Sequence, residues 1–267
     1  MVAARTLMDQ VARAFNDAGD DYATTGAPFL PHFTELVLER AALRPGQRVV
    51  DLATGPGSLA LSAVPMVGLE GEVVGVDISD VQLRIARRAA AKIDGPLRFV
   101  GADAVALDLG ERTVDAALCG FGLPYLAEPV HLVREAARVL KPGGRFIGTV
   151  WAAPFLEPLG QRLQATLERM EAPLVHRPFG DDPAEVAQWL LRAELEDVEV
   201  EEHTLEVTFP AFDDWWWLAR AFAFLLRFDS VDDEKRQAIL EAHHEELAAL
   251  TEGLTMAVKV YLVQGRR

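Results

Sequence analysis

Apolar positions recur in two alternating patterns over the first 152 residues of the chain. Short apolar runs bounded by turn residues are typical of buried strands, whereas stretches with apolar residues at every third or fourth position are typical of amphipathic helices. The predicted strands are 48–53, 72–78, 97–103, 114–121 and 144–151. The predicted helices are 3–18, 31–43, 58–66, 80–92 and 129–140. Strands and helices alternating at this spacing predict a parallel sheet covered on both faces.

The pattern changes after Trp151. Helical periodicity is found at 155–171, 182–193, 211–228 and 232–250, and strand-like alternation at 195–209 and 254–265. We interpret the late strand pair as an antiparallel edge of the same sheet. The helices between these two strands are then an insert that lies over the sheet as a cap, and they do not form an independent domain.

The amino-acid composition indicates which binding partners and which cellular compartment to expect. The 267 residues include 26 Lys and Arg against 41 Asp and Glu, a net charge of −15. An acidic surface repels phosphate backbones, so we expect no nucleic-acid partner. The single cysteine, Cys119, excludes an intramolecular disulfide and suits a reducing compartment. Because no segment approaches the roughly 20 apolar residues that cross a bilayer, and the N-terminus is not typical of a secretory signal, we expect a cytoplasmic protein.

The stretch VVDLATGPGSLAL, residues 49–61, is the first that indicates chemistry. Gly55 and Gly57 allow left-handed backbone angles, so that amide groups can face a ligand at the start of the next helix. Asp77 lies twenty residues past Gly57, at the end of the second predicted strand, where a carboxylate can accept both hydroxyls of a ribose. The combination predicts an adenosine-containing cofactor. Since Ala60 completes the pattern G-x-G-x-x-A, a nicotinamide dinucleotide stays open at this point.

Two further acids bear on the choice of cofactor. Asp51 lies within the first strand, four residues before Gly55, where it would serve a diphosphate poorly and a cationic ligand well. Asp103 follows the third strand and is suited to accept a hydrogen bond from an exocyclic amine.

Several motifs together carry a family resemblance. The set VVDLATGPG, GVDIS, GADA, VDAALCGFGLPYL and ARVLKPGGRF resembles the class I S-adenosylmethionine-dependent methyltransferases, in the group that includes the ubiquinone/menaquinone-biosynthesis C-methyltransferases and many natural-product methyltransferases. The likeness covers 14–152 in order and extends to AFNDAGDDY, where Ala23 replaces an expected Asp. It is loose beyond 152, where Ala193-Glu194-Leu195 stands in place of Ala-Gly-Phe.

The resemblance implies a Rossmann-like, doubly wound α/β fold. Its seven-stranded sheet is parallel with an antiparallel edge strand, and a helical cap is inserted near the C-terminus. The whole chain, 1–267, would form one methyltransferase domain. Within it, N-terminal helices over 1–44 cover the cofactor site, 45–152 bind the cofactor and 210–253 form the cap.

The resemblance also implies which residues contact S-adenosylmethionine and its product, S-adenosylhomocysteine. They are Tyr22, Asp51, Ala53, Thr54, Gly55, Gly57, Asp77, Ile78, Asp103, Ala104, Cys119, Gly120 and Phe121. The loop 53–57 would line the methionine end, and Asp51 would hold its ammonium group. Residues 119–121 would form a wall beside the sulfonium, with Tyr22 folding over from the N-terminal segment.

The adenosine end of the cofactor has its own implied set of residues. Asp77 would take the ribose hydroxyls, and Ile78 would pack against the adenine. Asp103 and Ala104 would contact the adenine amine and ring.

The implied mechanism is an in-line displacement, which needs no metal and no covalent enzyme intermediate. A base is required only where the nucleophile must lose a proton. The candidates are Tyr125, at the rim of the site, and His176, in a loop of the C-terminal part. No metal site is predicted.

Aromatic residues of the predicted cap indicate the kind of acceptor. Trp215-Trp216-Trp217 lies among several phenylalanines and indicates an apolar pocket, which favours a small aromatic or lipophilic molecule. Two other functions stay open at this stage, a non-catalytic or regulatory S-adenosylmethionine-binding protein and an NAD(P)-dependent oxidoreductase. The oligomeric state is not predicted.

Overall fold

A mixed sheet forms the centre of the molecule and fixes where every loop of the site begins. In the computed structural model, the described residues are 11–13, 15–16, 19, 29–153, 157–172, 179–180, 182–209, 233–248 and 254–267. The strands are β1 Arg48–Leu52, β2 Glu72–Asp77, β3 Leu97–Gly101, β4 Val114–Gly120, β5 Leu140–Ala152, β6 Phe179–Gly180, β7 Glu196–Phe209 and β8 Leu254–Arg266. The helices are α1 Leu30–Ala41, α2 Ser58–Val67, α3 Asp80–Ala90, α4 Pro129–Val139, α5 Leu159–Arg169, α6 Pro183–Leu191 and α7 Asp233–Ala248.

The strand order is β3-β2-β1-β4-β5-β8-β7, with the two-residue β6 paired to β5. Strands β1 to β5 run parallel, as do β5 and β6. Strand β8 is antiparallel to both of its neighbours, β5 and β7. The predicted mixed, doubly wound α/β sheet is therefore confirmed, and the reversed strand lies one position in from the edge.

The central strands are apolar because both faces of the sheet are covered. Side chains of β1 alternate between two core clusters. Val49 packs with helices α1 and α2, whereas Val50 and Leu52 pack with the cluster beneath α4 and α6. Strands β1 and β4 are neighbours in the sheet but are not consecutive in the chain. The helix that follows β1 therefore covers one face of the sheet, and the helix that follows β4 covers the other. This switch point leaves a crevice at the carboxyl ends of the strands, where open α/β sheets bind their ligands.

The stretch LKPGG joins the predicted helix 129–140 to the predicted strand 144–151, and the structure differs there in detail. Helix α4 ends at Val139 and β5 begins directly at Leu140, which pairs with Val114. The next pair is Ala116 with Arg145, so the intervening residues form a bulge within the strand. Pro142 has no amide hydrogen to donate and Gly143 has a φ of +78°, so this segment cannot follow the ladder although its flanks do.

The C-terminal part of the chain is described only in pieces. Helix α7 packs against α5, where Glu246 accepts a hydrogen bond from Thr166 at 3.2 Å and contacts Arg169 at 3.4 Å. Of the predicted cap, 210–253, only α7 is described, and Trp215-Trp216-Trp217 lies outside the described residues. Within the described ranges, no helix combines the length and the apolar character needed to cross a membrane.

Candidate active site

The loop after β1 carries the sharpest backbone turns of the site. Ala53 and Gly55 both have a φ of +54°, and Gly57 has a φ of +91° immediately before α2. A Cβ atom added at Gly57 would lie 3.0 Å from the ring of Phe99. Glycine is therefore favoured at this position both by its positive φ and by the lack of space for a side chain. The positive φ of Ala53 is strained and is held by its surroundings, as is common where a backbone is fixed for binding.

The carboxylate of Asp51 lies beneath this loop and ties it to α2. Its Oδ2 atom accepts hydrogen bonds from the hydroxyl of Thr54 at 2.5 Å and the amide of Ala60 at 3.0 Å. Its Oδ1 atom is buried and has no hydrogen-bond partner within the described part of the chain. Burial raises the pKa of Asp51 to about 7, although the hydrogen bonds from Thr54 and Ala60 oppose the shift. The free oxygen is thus an acceptor for a buried cation or donor.

Asp77 joins the same loop to the next helix. Its Oδ2 atom accepts from the amide of Gly55 at 2.7 Å and its Oδ1 atom from the amide of Ser79 at 2.8 Å. Burial raises the pKa of this carboxyl, and the backbone hydrogen bonds work against the shift. Each carboxylate oxygen has a further lone pair, so both can still accept from a ligand.

Two cavities open around the loop 53–57. The smaller, of about 80 Å³, is lined by Asp77, Ile78, Ala104 and Tyr125 among others. The larger, of about 600 Å³, lies between α1, α2 and the sheet, and its lining includes Asp51, Thr54, Phe33 and Thr149. Four residues line both cavities, namely Ala53, Gly55, Gly120 and Phe121. The loop therefore separates a narrow recess on the β2 side from a wider chamber on the β5 side.

Residues of the N-terminal segment lie against the recess. The side-chain oxygen of Asn16 accepts a hydrogen bond from the hydroxyl of Ser79 at 2.6 Å, and Gln82 donates to the carbonyl of Phe15 at 3.1 Å. The ring of Phe15 meets that of Tyr125 edge-on at 5.3 Å. Val11 and Phe15 also line the recess. These contacts place the described part of the segment on the β2 side of the site.

An aromatic wall borders the chamber; we use this term for Phe29, Phe33, Phe121 and Trp151. The ring of Phe121 stacks on Trp151 with 3.7 Å between centroids and 11° between planes. Phe33 meets Phe121 edge-on at 5.9 Å, and Phe29 meets Trp151 edge-on at 5.8 Å. Phe121 has a φ of +61°, held by its amide, which donates to the carbonyl of Thr149 at 3.1 Å. Of these four residues, Phe33 and Phe121 line the chamber, whereas Phe29 and Trp151 are buried and pack against them.

The structure brings together most of the residues predicted for the cofactor. Those that line one or both cavities are Asp51, Ala53, Thr54, Gly55, Asp77, Ile78, Ala104, Gly120 and Phe121. Tyr125 lines the recess, on the side of Asp77. Tyr22 and His176 lie outside the described residues.

Three predicted residues lie apart from the cavity walls. Cys119 is fully buried in the core cluster beneath α4, and burial raises the pKa of its thiol to about 12. Asp103 accepts a hydrogen bond from the amide of Val105 at 3.1 Å and so closes the turn after β3. Gly57 supports the loop from behind, against Phe99.

Sequence reasoning missed Thr149 and Phe33. Thr149 is fully buried, lines the chamber, and its Oγ1 atom has no hydrogen-bond partner among the described residues. One signal was present, because Thr149 is a polar residue in the apolar second half of β5, on the same face as Ile147 and Trp151. Phe33 carried no signal, since a phenylalanine on an amphipathic helix is an ordinary core residue. No group of three or more His, Cys, Asp or Glu side chains in the described ranges is arranged to hold a metal ion.

Comparison with known proteins gives the family. The model of a methyltransferase domain matches residues 49–144, which contain the loop 53–57, Asp77 and the tip of β4. The ubiquinone/menaquinone biosynthesis C-methyltransferase UbiE of Salmonella arizonae is 33% identical over 170 residues, which is 61% of this chain and 68% of that enzyme. The chain belongs to the class I S-adenosylmethionine-dependent methyltransferases.

Solved structures agree with this methyltransferase fold. YcgJ of Bacillus subtilis is 21% identical with a TM-score of 0.61, over 88% of this chain and 98% of that one. Phosphoethanolamine N-methyltransferase 2 of Haemonchus contortus, solved with phosphomonomethylethanolamine and S-adenosylhomocysteine, is 16% identical with a TM-score of 0.55, over 88% and 52% of the two chains. The methyltransferase uses S-adenosylmethionine, and membership of this family contradicts the oxidoreductase alternative that the pattern G-x-G-x-x-A left open.

We expect Gly122→Ala to destabilise the methyltransferase because the turn after β4, which contains Gly122, packs directly against the loop after β1. Gly122 has ordinary right-handed backbone angles, but an added Cβ would lie 2.5 Å from the Cβ of Ala53 and 3.0 Å from the sulfur of Cys119. Overpacking of this kind costs about 1–3 kcal/mol of unfolding free energy, measurable by urea denaturation. The control is Gly101→Ala, whose Cβ makes only ordinary contacts from 3.6 Å and should change stability by less than about 0.5 kcal/mol. Equal stability of the two variants would contradict the tight approach at Gly122.

Proposed function

We propose that this methyltransferase transfers the methyl group of S-adenosylmethionine to a small, planar aromatic or lipophilic acceptor bound in the chamber. The observation that carries the proposal is the chamber itself, about 600 Å³ in volume and bordered by the aromatic wall. Pockets of roughly 300–1,000 Å³ lined by apolar and aromatic side chains suit small molecules with much ring surface. The similarity to UbiE, a C-methyltransferase of ubiquinone and menaquinone biosynthesis, supports a cyclic acceptor.

The residues around the loop 53–57 fit the proposed cofactor. The Oδ1 atom of Asp51, which is buried and has no hydrogen-bond partner among the described residues, suits the ammonium group of the methionine end, beside Ala53, Thr54 and Gly55. When bound, S-adenosylmethionine supplies a methyl group already activated by its sulfonium. Gly120 and Phe121, which line both cavities, would flank the sulfonium, and Tyr22 would reach over from the N-terminal segment.

The recess on the β2 side fits the nucleoside end. Asp77 would accept the ribose hydroxyls, while Ile78 and Ala104 would pack against the adenine. Asp103 does not line the recess itself but lies next to Ala104, which does, and its second carboxylate oxygen would accept from the adenine amine. Tyr125 lines this recess and contacts Phe15, so we now assign it to closing the nucleoside side in preference to acting as a base.

Under this proposal, the chain contributes to the reaction mainly by binding, orientation and exclusion of water. A rigid wall that aligns the acceptor with the methyl group can supply several of the roughly 7–11 kcal/mol available to well-oriented reactants. His176 stays a candidate base for acceptors that must lose a proton. The cap over 210–253 would close the chamber as part of one domain with the N-terminal helices over 1–44 and the core over 45–152. With a net charge of −15, we expect the acceptor to be a small molecule and not a nucleic acid.

Methyl transfer to a panel of acceptors tests the proposal. We expect the protein, incubated with S-adenosylmethionine carrying an isotopically labelled methyl group, to label ring acceptors such as naphthols and hydroquinones. Mass spectrometry would detect the methylated products, and a matched incubation with S-adenosylhomocysteine in place of the donor is the control. A protein that binds the donor but labels only small polar amines, such as phosphoethanolamine, would contradict the aromatic acceptor.

The role of Asp77 can be measured without any acceptor. We expect Asp77→Ala to weaken S-adenosylhomocysteine binding by about 1–3 kcal/mol in calorimetry, as is typical for the loss of a charge-assisted hydrogen bond. Asp80→Ala is the matched control, because Asp80 is an exposed acid in the first turn of α3 and should bind as the wild type does. Unchanged affinity in Asp77→Ala would show that this carboxylate does not hold the ribose.

The elevated pKa of Asp51 predicts that binding releases a proton. A carboxyl with a pKa of about 7 is largely protonated at pH 6, and the ammonium of S-adenosylhomocysteine favours its ionised form. Affinity should therefore rise as the pH is raised from about 5.5 and level off above the pKa of about 7. At pH 6.5, the binding heat should depend on the ionisation enthalpy of the buffer, and this dependence should be lost in Asp51→Asn. A wild-type heat that is the same in every buffer would contradict the assignment of Asp51.

A further inference from the structure

Thr149 has a buried hydroxyl group that no described residue hydrogen-bonds. The residue is fully buried in β5, and its Oγ1 atom has no hydrogen-bond partner in the described part of the chain. A buried hydroxyl without a partner is destabilising, and valine would fill the same space without that cost. Because Thr149 lines the chamber, a ligand there can supply the missing partner. The only other unpartnered buried side-chain oxygen among the described lining residues is Oδ1 of Asp51.

The register of the sheet separates these two oxygens. Asp51 pairs with Leu118 on β4, whereas Thr149 pairs with Gly120, so the two residues are two strands apart and offset by two positions. At about 4.8 Å per strand and 3.3 Å per residue, their Cα atoms are roughly 12 Å apart. Both side chains face α1 and α2, because Val49 and Ile147, two residues before each of them, lie in the core beneath those helices.

This separation exceeds the reach of the methionine end of the cofactor. The five bonds from the ammonium nitrogen to the transferable methyl carbon span only about 6 Å when extended, and the hydrogen bond to Asp51 adds about 3 Å, so the methyl lies within about 9 Å of that carboxylate. If the ammonium is held at Asp51, as the proposed function has it, Thr149 lies beyond the methyl group. Its hydroxyl therefore belongs to the acceptor's side of the chamber.

The surroundings of Thr149 define what the acceptor presents to it. Phe121, whose amide donates to the carbonyl of Thr149, stacks on Trp151 and faces Phe33. A flat ring lying on this wall would bring its edge substituents to the level of the hydroxyl. A neutral hydroxyl both donates and accepts, so it suits an uncharged oxygen, either hydroxyl or carbonyl, better than a cation.

We propose that Thr149 determines acceptor specificity by hydrogen-bonding an oxygen substituent on a planar ring acceptor. The inference rests on the proposed function and adds a named residue and a required substituent. Thr149 acts here by positioning the acceptor and takes no part in proton transfer.

The test compares two ligands that differ only in the oxygen, 1-naphthol and naphthalene. Binding of each is followed by its fluorescence, with the full chain saturated with S-adenosylhomocysteine. We expect the wild type to bind 1-naphthol roughly three- to tenfold more tightly than naphthalene, the range of one net hydrogen bond. Thr149→Val keeps the shape and should bind both ligands equally, whereas Thr149→Ser keeps the hydroxyl and should restore the preference.

Two control measurements separate this inference from the proposed function. The affinity for S-adenosylhomocysteine should be unchanged within about twofold in both variants, since a residue on the acceptor side leaves the cofactor's hydrogen bonds intact. Thr149→Val should unfold at the same urea concentration as the wild type or a higher one, because an unpaired hydroxyl has been removed. Weaker S-adenosylhomocysteine binding in Thr149→Val, a loss of its stability, or a wild type without preference for 1-naphthol would each overturn the role of Thr149. A wild type that fails to bind S-adenosylhomocysteine would instead overturn the proposed function.

Discussion

The carboxylate of Asp51 is buried under the loop after β1, and the rest of the site depends on how its two oxygens are used. One oxygen holds the hydroxyl of Thr54 and the amide of Ala60, which ties the loop to the first turn of α2. The other is buried and has no partner in the described chain, and Asp51 is among the residues that line the chamber. Burial disfavours the ionised form of this carboxyl, which is why its pKa rises to about 7, and one of its two oxygens accepts no hydrogen bond from the described residues. The same cost makes the group a strong acceptor for a ligand that brings a positive charge.

The parallel sheet converts separate sequence motifs into one site. Strands β1, β2 and β4 run in the same direction, so the loop 53–57, Asp77 and Phe121 all emerge at one edge. Asp77 then accepts hydrogen bonds from the amides of Gly55 and Ser79, which fixes the loop against the start of α3. The turn after β4 approaches the same loop so closely that only glycine fits at position 122. Each motif is therefore held in place by another, and the cavities on either side of the loop have fixed walls.

The sequence predicted the parts of this arrangement that follow from local pattern. Strand β1 was expected at 48–53 and is found at Arg48–Leu52, and Asp77 was expected at the end of β2, where it lies. The orientation of Cys119 could not be predicted, because β4 is apolar on both faces and its pattern does not say which residue faces which helix. Thr149 and Phe33 became site residues only through the register of β5 beside β4 and the packing of α1, neither of which has a local signature. The likeness to known methyltransferases covered the cofactor side and, of the aromatic wall, only Phe121.

The proposed division of the site has a consequence for catalysis. The ammonium, ribose and adenine are unchanged when the sulfonium gives up its methyl group, so contacts with Asp51 and Asp77 would be equal in the ground state and the transition state. Contacts of that kind strengthen binding but do not raise the rate of the chemical step. The rate would then come from groups that align the acceptor with the methyl carbon, and under the two proposals these are the aromatic wall and the hydroxyl of Thr149. The charged residues of the crevice would thus govern cofactor affinity, and the neutral end of the chamber would govern which molecule is methylated and how fast.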